Sequence, residues 1–338
     1  MGIRRTTPTA SHRRLEWLSV LRGLNIVLVV MFHVQLIDMA TGQNHALCEQ
    51  LPALFTPIRM PFFIFTSGGL LYLSRINKQW SVGRLYWDKF QRIVIPFVFF
   101  VTFYYVFKLA FSAMAKTPPP MSIHYFLESF YRFPGHPSAH LWFLAVLTIM
   151  MALYPVFRWL CAHTYMMTAF LLLSIAIYPI DMSRYLPDVF YIAHLNKYLV
   201  YFFAGIYFFR YRLYQYVSNY VALALSACLY AVLLFAGGGL FTSLTGIVMA
   251  VSAGILMARH RPSLFSSFRD YIYQIYLLSL VFQAFVELVL WKRLFYNEHL
   301  FLLFYMLNIM AGIYGPTLIA RTVQKCPYKV VRLCMGLK

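Results

Sequence analysis

The chain has 338 residues, of which 61% are hydrophobic and 12% are charged; soluble domains run at about 45–50% apolar and about 25% charged. That composition excludes a soluble cytosolic enzyme, a disordered chain and a secreted disulfide scaffold. A net charge of +19 would point a soluble protein toward nucleic acid, but this chain must first be placed in a membrane, where an apolar run of ~20 residues spans the hydrocarbon core.

Ten apolar helices are expected, at 18–37, 56–74, 93–114, 140–160, 164–180, 195–209, 217–235, 240–257, 271–290 and 300–319. The fold class is therefore all-α, a polytopic membrane protein. A transmembrane domain over 18–319 is flanked by basic tails at 1–17 and 320–338. The first helix is too long for a signal-peptide core of ~7–15 residues, and no small-x-small cleavage site follows it. The sixth is expected to begin earlier than its apolar core, near Phe190, with Asn196 and Lys197 in a polar first turn. Between the seventh and eighth, Ala236-Gly237-Gly238-Gly239 reads as a tight reversal, since glycine supplies the positive φ angles that such a turn needs.

Charge tests the count. With the N-terminus inside, ten crossings bring the C-terminus inside too. Twenty of the 29 basic residues then fall on the inside and six outside, with Arg22, Arg59 and Lys108 within spans. This is the excess of Lys and Arg that cytoplasmic loops carry. It accounts for most of the +19 without nucleic acid, and both termini are expected in the cytoplasm. The five cysteines form no framework of disulfide or zinc spacing, and no metal site is expected. The outer loop 115–139 holds five prolines and several aromatics, which favour an ordered loop near the membrane.

Ionisable groups within spans are costly, so each is a functional candidate. Arg22 and His33 lie eleven residues apart in the first helix. Eleven steps of ~100° come to about three turns, so both project from one face, roughly 16 Å apart along the axis. Asn25 lies nearly on the same stripe, which should face the bundle interior. Taken singly, Arg22 reads as a snorkelling anchor and His33 as an interfacial histidine; the shared face raises the functional reading of both. In the second helix, Pro61 reads as an ordinary helix-start residue. Thr66-Ser67-Gly68-Gly69 brings small and hydroxyl residues to mid-membrane. Packing is the first reading of the glycines, and Ser67 is a candidate ligand contact. Lys89 and Arg92 precede the third helix, either as flanking positive charge or as an anion site. His140 and Trp142 open the fourth. Glu287 and Lys108 read as structurally paired charges.

These segments together resemble the membrane acyltransferase type 3 family. The resemblance rests on Arg22 and His33 with ten residues between them and on Phe62-Phe63-Ile64-Phe65-Thr66-Ser67-Gly68. It rests also on Lys89 and Arg92 followed by Pro96, and on His140-Leu141-Trp142-Phe143-Leu144. The chain departs from the pattern at Lys89, where an arginine is usual, and at Ser279, where Ile275-Tyr276-Leu277-Leu278 is often followed by histidine. The resemblance implies transfer of an acyl group, often acetyl, from cytoplasmic acyl-CoA to a hydroxyl of a cell-envelope sugar, glycan or lipid-linked glycan at the inner membrane. Acyl-CoA is then a co-substrate and no cofactor is bound permanently. On this reading Arg22, Lys89 and Arg92 hold the CoA phosphates. His33 and Arg22 are the catalytic pair, with His33 as general base or acyl carrier. Asn25, Ser67, His140 and Trp142 line the path of the substrate. The rival reading is a transporter or glycan exporter, against which stands the lack of internal repeats.

Overall fold

The computed structural model describes residues 10–39, 41–114 and 118–337. The tail arginines at 4 and 5, Lys116 and Lys338 lie outside these. Among the described residues the chain is helical, and its only extended pairing is an isolated bridge between Ile37 and Asn44.

Helix α1 (Ala10–Phe32) starts inside the expected tail and ends earlier than expected. Its last turn tightens, His33 N–H donating to Val30 O (3.1 Å) and Val34 N–H to Met31 O (3.3 Å). Beyond it, Asn44 Oδ1 accepts from Leu36 N–H at 2.9 Å. His33 therefore sits in the closing turn of α1, not in mid-helix. A short α2 (Ala46–Ala53) leads into α3 (Thr56–Leu71), which runs on as a π-helical turn, Tyr72–Ile76. Pro57 occupies the start of α3, while Pro61, expected at a helix start, lies within it. After α4 (Val82–Lys89), a second π-helical turn, Phe90–Val94, joins α5 (Ile95–Ala110), with Pro96 in the first turn of α5, where its missing N–H costs nothing.

The loop after α5 is ordered over its described residues. It contains α6 (Ile123–Glu128), and Ser138 Oγ donates to Ser129 O at 2.7 Å with both serines buried. The fourth apolar segment is broken into α7 (Trp142–Ala152) and α8 (Tyr154–Ala162), bent by 50° ahead of Pro155. Next come α9 (Thr164–Ile177) and α10 (Leu195–Arg210). Helix α10 does not begin near Phe190: Phe190 and Tyr191 take positive φ, breaking any helix there. The reversal between α11 (Tyr220–Ala236) and α12 (Gly239–His260) uses positive φ at Gly237 and Gly239. Then α13 (Ile272–Phe285) continues through a π-helical turn, Val286–Leu294. It is followed by α14 (Phe301–Gln324) and by α15 (Lys329–Cys334).

All ten expected apolar segments are helical for most of their length. By length and apolarity, four continuous helices qualify as spans: Val82–Ala110, Gly239–His260, Arg269–Leu294 and Glu298–Gln324. The number is six if each of two bent pairs counts as one span. Breaks and short helices account for the difference from ten. Helix α11, for example, has 17 residues and so reaches only ~25 Å at 1.5 Å per residue.

The core is a packed bundle in which α3 lies against α10, and α1 against α12, α3 and α13. The α3–α10 crossing is closest at two glycines. A Cβ on Gly68 would strike Phe202 O, and one on Gly205 would strike Phe65 O. Gly69 faces the Phe209 ring in the same way. The packing reading of Gly68-Gly69 is thus met. Trp17 stacks on Phe209 (5.7 Å) at the far end of α10, which orients α1 and α10 within the bundle.

Candidate active site

The expected site residues fall into two groups, one beside the middle of α1 and one at its closing turn. In the first lies Arg22, half-buried and within the electrostatic reach of Asp270. The chain around Asp270 leads to Lys89 and Arg92. Four residues on, Gln274 Nε2 donates to Met335 O (2.8 Å), and Gly336 packs on Tyr273 and Arg92 O. So Arg22, Lys89 and Arg92 share one end of the bundle, bridged by the turn before α13 and by the segment after α15.

Lys89 and Arg92 are not a bare basic pair. Asp88, buried beside them, takes Arg75 Nη2 at 3.1 Å and Arg92 Nε at 3.2 Å. The Lys89 ammonium feels Arg75, Asp88 and Arg92 together. Arg75 and Arg92 each occupy one of the π-helical turns, and such turns re-aim side chains at functional sites. Arg75 also lies over the Trp80 ring, 3.7 Å from its centroid. The result is three cations fixed around one carboxylate, a net positive and rigid cluster. Sequence reasoning found two of its four members. The i,i+4 spacing of Asp88 and Arg92 was the available signal.

At the closing turn of α1, His33 meets groups from three other helices. The Arg59 guanidinium lies over the ring of Phe32, 3.1 Å from its centroid, and its charge reaches His33. His140 feels both His33 and Lys108. The His140 ring lies edge-on to Tyr104 (4.4 Å), and its carbonyl accepts from the Tyr276 hydroxyl. Trp142 packs on Tyr191 (4.8 Å) and Tyr198 (4.9 Å), and Tyr198 in turn is within the reach of Arg59. The structure thus brings His33, His140 and Trp142 into one aromatic-rich neighbourhood, termed the His33 chamber, with Arg59, Lys108, Tyr104, Tyr198 and Tyr276. Lys108 was expected to be paired, yet it has no ion-pair partner among the described residues. Glu287 does pair, with Lys292 at 3.6 Å.

Two expected contacts are turned elsewhere. Asn25 is 1% exposed, and its amide bridges the backbone of α3, Nδ2 donating to Arg59 O (3.2 Å) and Oδ1 accepting from Phe63 N–H (3.0 Å). Residues 59 and 63 are an i,i+4 pair of the α3 ladder, on either side of Pro61, so Asn25 holds α1 to a weakened turn of α3. Both of these hydrogen bonds serve the packing of α1 on α3. Ser67 Oγ donates to Phe63 O at 2.8 Å, one turn back on its own helix. Ser279 is buried in α13. A groove of about 420 Å³ lined by Tyr220, Leu256, His260 and Leu264 contains none of these residues.

The arrangement can do two things: bind polyanions at the Arg22 end, and manage a proton and negative charge at the His33 end. No curated protein and no solved structure matches the chain. The family model described as an acyltransferase domain matches residues 15–320, and the chain belongs to the membrane acyltransferase type 3 family.

Proposed function

We propose that this membrane acyltransferase takes an acyl group, acetyl in the first instance, from cytoplasmic acyl-CoA and places it on a hydroxyl of a cell-envelope sugar or glycan. The observation that carries the reading is the separation of two cationic regions along α1, Arg22 with Asp270 at mid-helix and His33 with Arg59 and His140 at its closing turn. The charge partition of the sequence supports ten crossings with both termini in the cytoplasm. They put Arg22, Lys89 and Arg92 on the donor side. There the guanidinium groups engage CoA phosphates by charge-assisted hydrogen bonds, and the thioester arm runs along α1 toward His33.

At His33 the imidazole takes the proton of the acceptor hydroxyl as its oxygen attacks the thioester carbonyl. A new C–O bond forms and the C–S bond breaks. CoA leaves as a thiolate and recovers the proton from the imidazolium, so the histidine returns to its starting state. Aromatic rings of Trp142, Tyr191 and Tyr198 offer flat faces for a sugar ring.

Labelled acetyl-CoA supplied to inside-out membrane vesicles carrying the protein tests this. Label appearing in glycan, lost in His33→Ala, is the expected result. Glycan moved across the membrane without label would identify an exporter instead.

A further inference from the structure

Three nitrogens in the His33 chamber stand out. Arg59 Nε, Arg59 Nη1 and His140 Nε2 are buried and have no hydrogen-bond partner among the described residues. A buried polar group left unmatched costs about 1–3 kcal/mol, so native structures rarely keep one without a reason. Here they cluster. The guanidinium is held over Phe32, next to His33 in sequence, while the His140 ring is within the electrostatic reach of His33.

The surrounding charge is of one sign. The groups acting on Arg59, His33 and His140 are Tyr198, Arg59, His33 and Lys108, with no carboxylate among them. Glu287, a carboxylate of the span that follows, is occupied by Lys292. Helix α3 adds to the field: Arg59 lies in its first turns, and the helix starts without a side-chain cap at Phe55, so its positive end is uncompensated. Two cations, Arg59 and Lys108, thus act on this chamber with no carboxylate paired to either among the described residues. At the Lys89 cluster, by contrast, Arg75 and Arg92 share Asp88. Asn25 fixes the carbonyl of Arg59 to α1, so the guanidinium is built in beside His33.

From this we infer that the chamber takes an acidic acceptor: Arg59, with His140, holds a carboxylate or phosphate oxygen of the sugar whose hydroxyl faces His33. The inference deepens the proposed transferase reading and rests on it for the word acceptor. A planar guanidinium binds either oxyanion through paired N–H groups, which the ammonium of Lys108 cannot do. A neutral sugar's hydroxyl oxygens can accept from these groups but leave the buried charge uncompensated, and it is discriminated against for that reason.

The test uses the full chain in detergent without donor, reading the thermal unfolding midpoint with glucuronate, glucose 6-phosphate or neutral glucose. The expected result is an upward shift with one or both anions, absent with glucose and shrinking as salt is raised. The shift is lost in Arg59→Gln and reduced in Arg59→Lys. The carboxylate and phosphate arms name the group preferred. Equal shifts with glucose, no shift with either anion, or a full shift in Arg59→Gln would overturn the proposal. Should Arg59→Gln fail to fold, the glucose comparison and the salt dependence of the wild-type protein still decide it. Acetyl-CoA is run in parallel and is expected to shift wild type and Arg59→Gln equally. Its failure to shift either, with the sugar-anion shift intact, sinks the acyl-donor reading and leaves the anion site standing. If acetyl-CoA protection disappears with Arg59→Gln while the sugar anions do nothing, Arg59 belongs to the donor and the acceptor inference is wrong.

Discussion

Asn25 Oδ1 accepts a hydrogen bond from the backbone N–H of Phe63 at 3.0 Å, and its Nδ2 donates to the carbonyl of Arg59. Pro61 lies between those two residues and supplies no N–H of its own. One side chain of α1 therefore sets the register between His33 on its own helix and Arg59 on the next. Asn25→Ala removes both bonds and leaves two buried backbone groups of α3 to each other. It is expected to lower stability by about 1–3 kcal/mol, seen as a fall in the thermal midpoint in detergent. Acyl transfer should fall further than stability explains, because the His33–Arg59 register is loosened. Unchanged stability in Asn25→Ala would return Asn25 to the substrate path.

The α3–α10 contact makes a second prediction. Gly68 and Gly205 face each other's helix so closely that an added methyl meets a backbone oxygen, of Phe202 and of Phe65 respectively. A carbonyl in a helix cannot swing away as a flexible side chain does. Gly68→Ala and Gly205→Ala are each expected to prevent normal assembly, read as loss of monodisperse protein after extraction. Gly83, in exposed α4, has nothing within 4 Å of an added Cβ. Gly83→Ala should be neutral or stabilising by about 0.5–1 kcal/mol. Normal extraction of Gly205→Ala would show that the helices are further apart than described.

The contrast between these residues shows what was legible in the sequence. Gly68-Gly69 sits in an apolar run, so its packing role could be read locally, whereas Gly205, its partner in α10, carries no local mark among aromatics. The apolar runs located the helices because burial and lipid demand the same residues. Breaks were less visible: the π-helical turns holding Arg75 and Arg92 have ordinary composition, and their effect is on direction, not on hydrophobicity. Asn25 was legible as an anomaly but not as a backbone brace, since its partners are main-chain groups of another helix. Arg59 was legible only as one of three basic residues within spans. Its meaning comes from Phe32, His33 and His140, which the chain order separates.

The loop between α5 and α7 predicts a pH response. His136 is buried, stacked on Tyr125 (4.3 Å between centroids), with Nδ1 3.2 Å from Ser129 Oγ. Burial holds its pKa below the ordinary value of 6.5; Glu128 opposes this and Arg132 reinforces it. A base whose folded pKa is depressed favours the folded loop while neutral. That contribution is complete above about 6.5 and is lost as pH falls toward and through the lower folded value. Once the intrinsic slowing of amide exchange with acid is divided out, protection across 120–138 should therefore fall between neutral and mildly acidic pH, and His136→Phe should flatten the change. A pH-independent loop in the wild-type protein would contradict this account.

Arg22 and His33 should separate kinetically under the proposed function. If Arg22 holds phosphate of the donor in the ground state and the transition state alike, Arg22→Gln raises KM for acyl-CoA with kcat nearly kept. If His33 moves the proton, His33→Ala leaves donor binding intact and lowers kcat by about 10²–10⁴. Arg92→Gln should behave like Arg22→Gln with a smaller effect, because Asp88 already balances part of its charge. Asp88→Asn frees Arg75 and Arg92 together; it should destabilise the fold while leaving more positive charge for the donor, so KM for acyl-CoA should not rise in the protein that folds. A kcat loss in Arg22→Gln equal to that in His33→Ala would mean that the two regions along α1 act on the same atoms, and the donor would have to lie across the helix instead of along it.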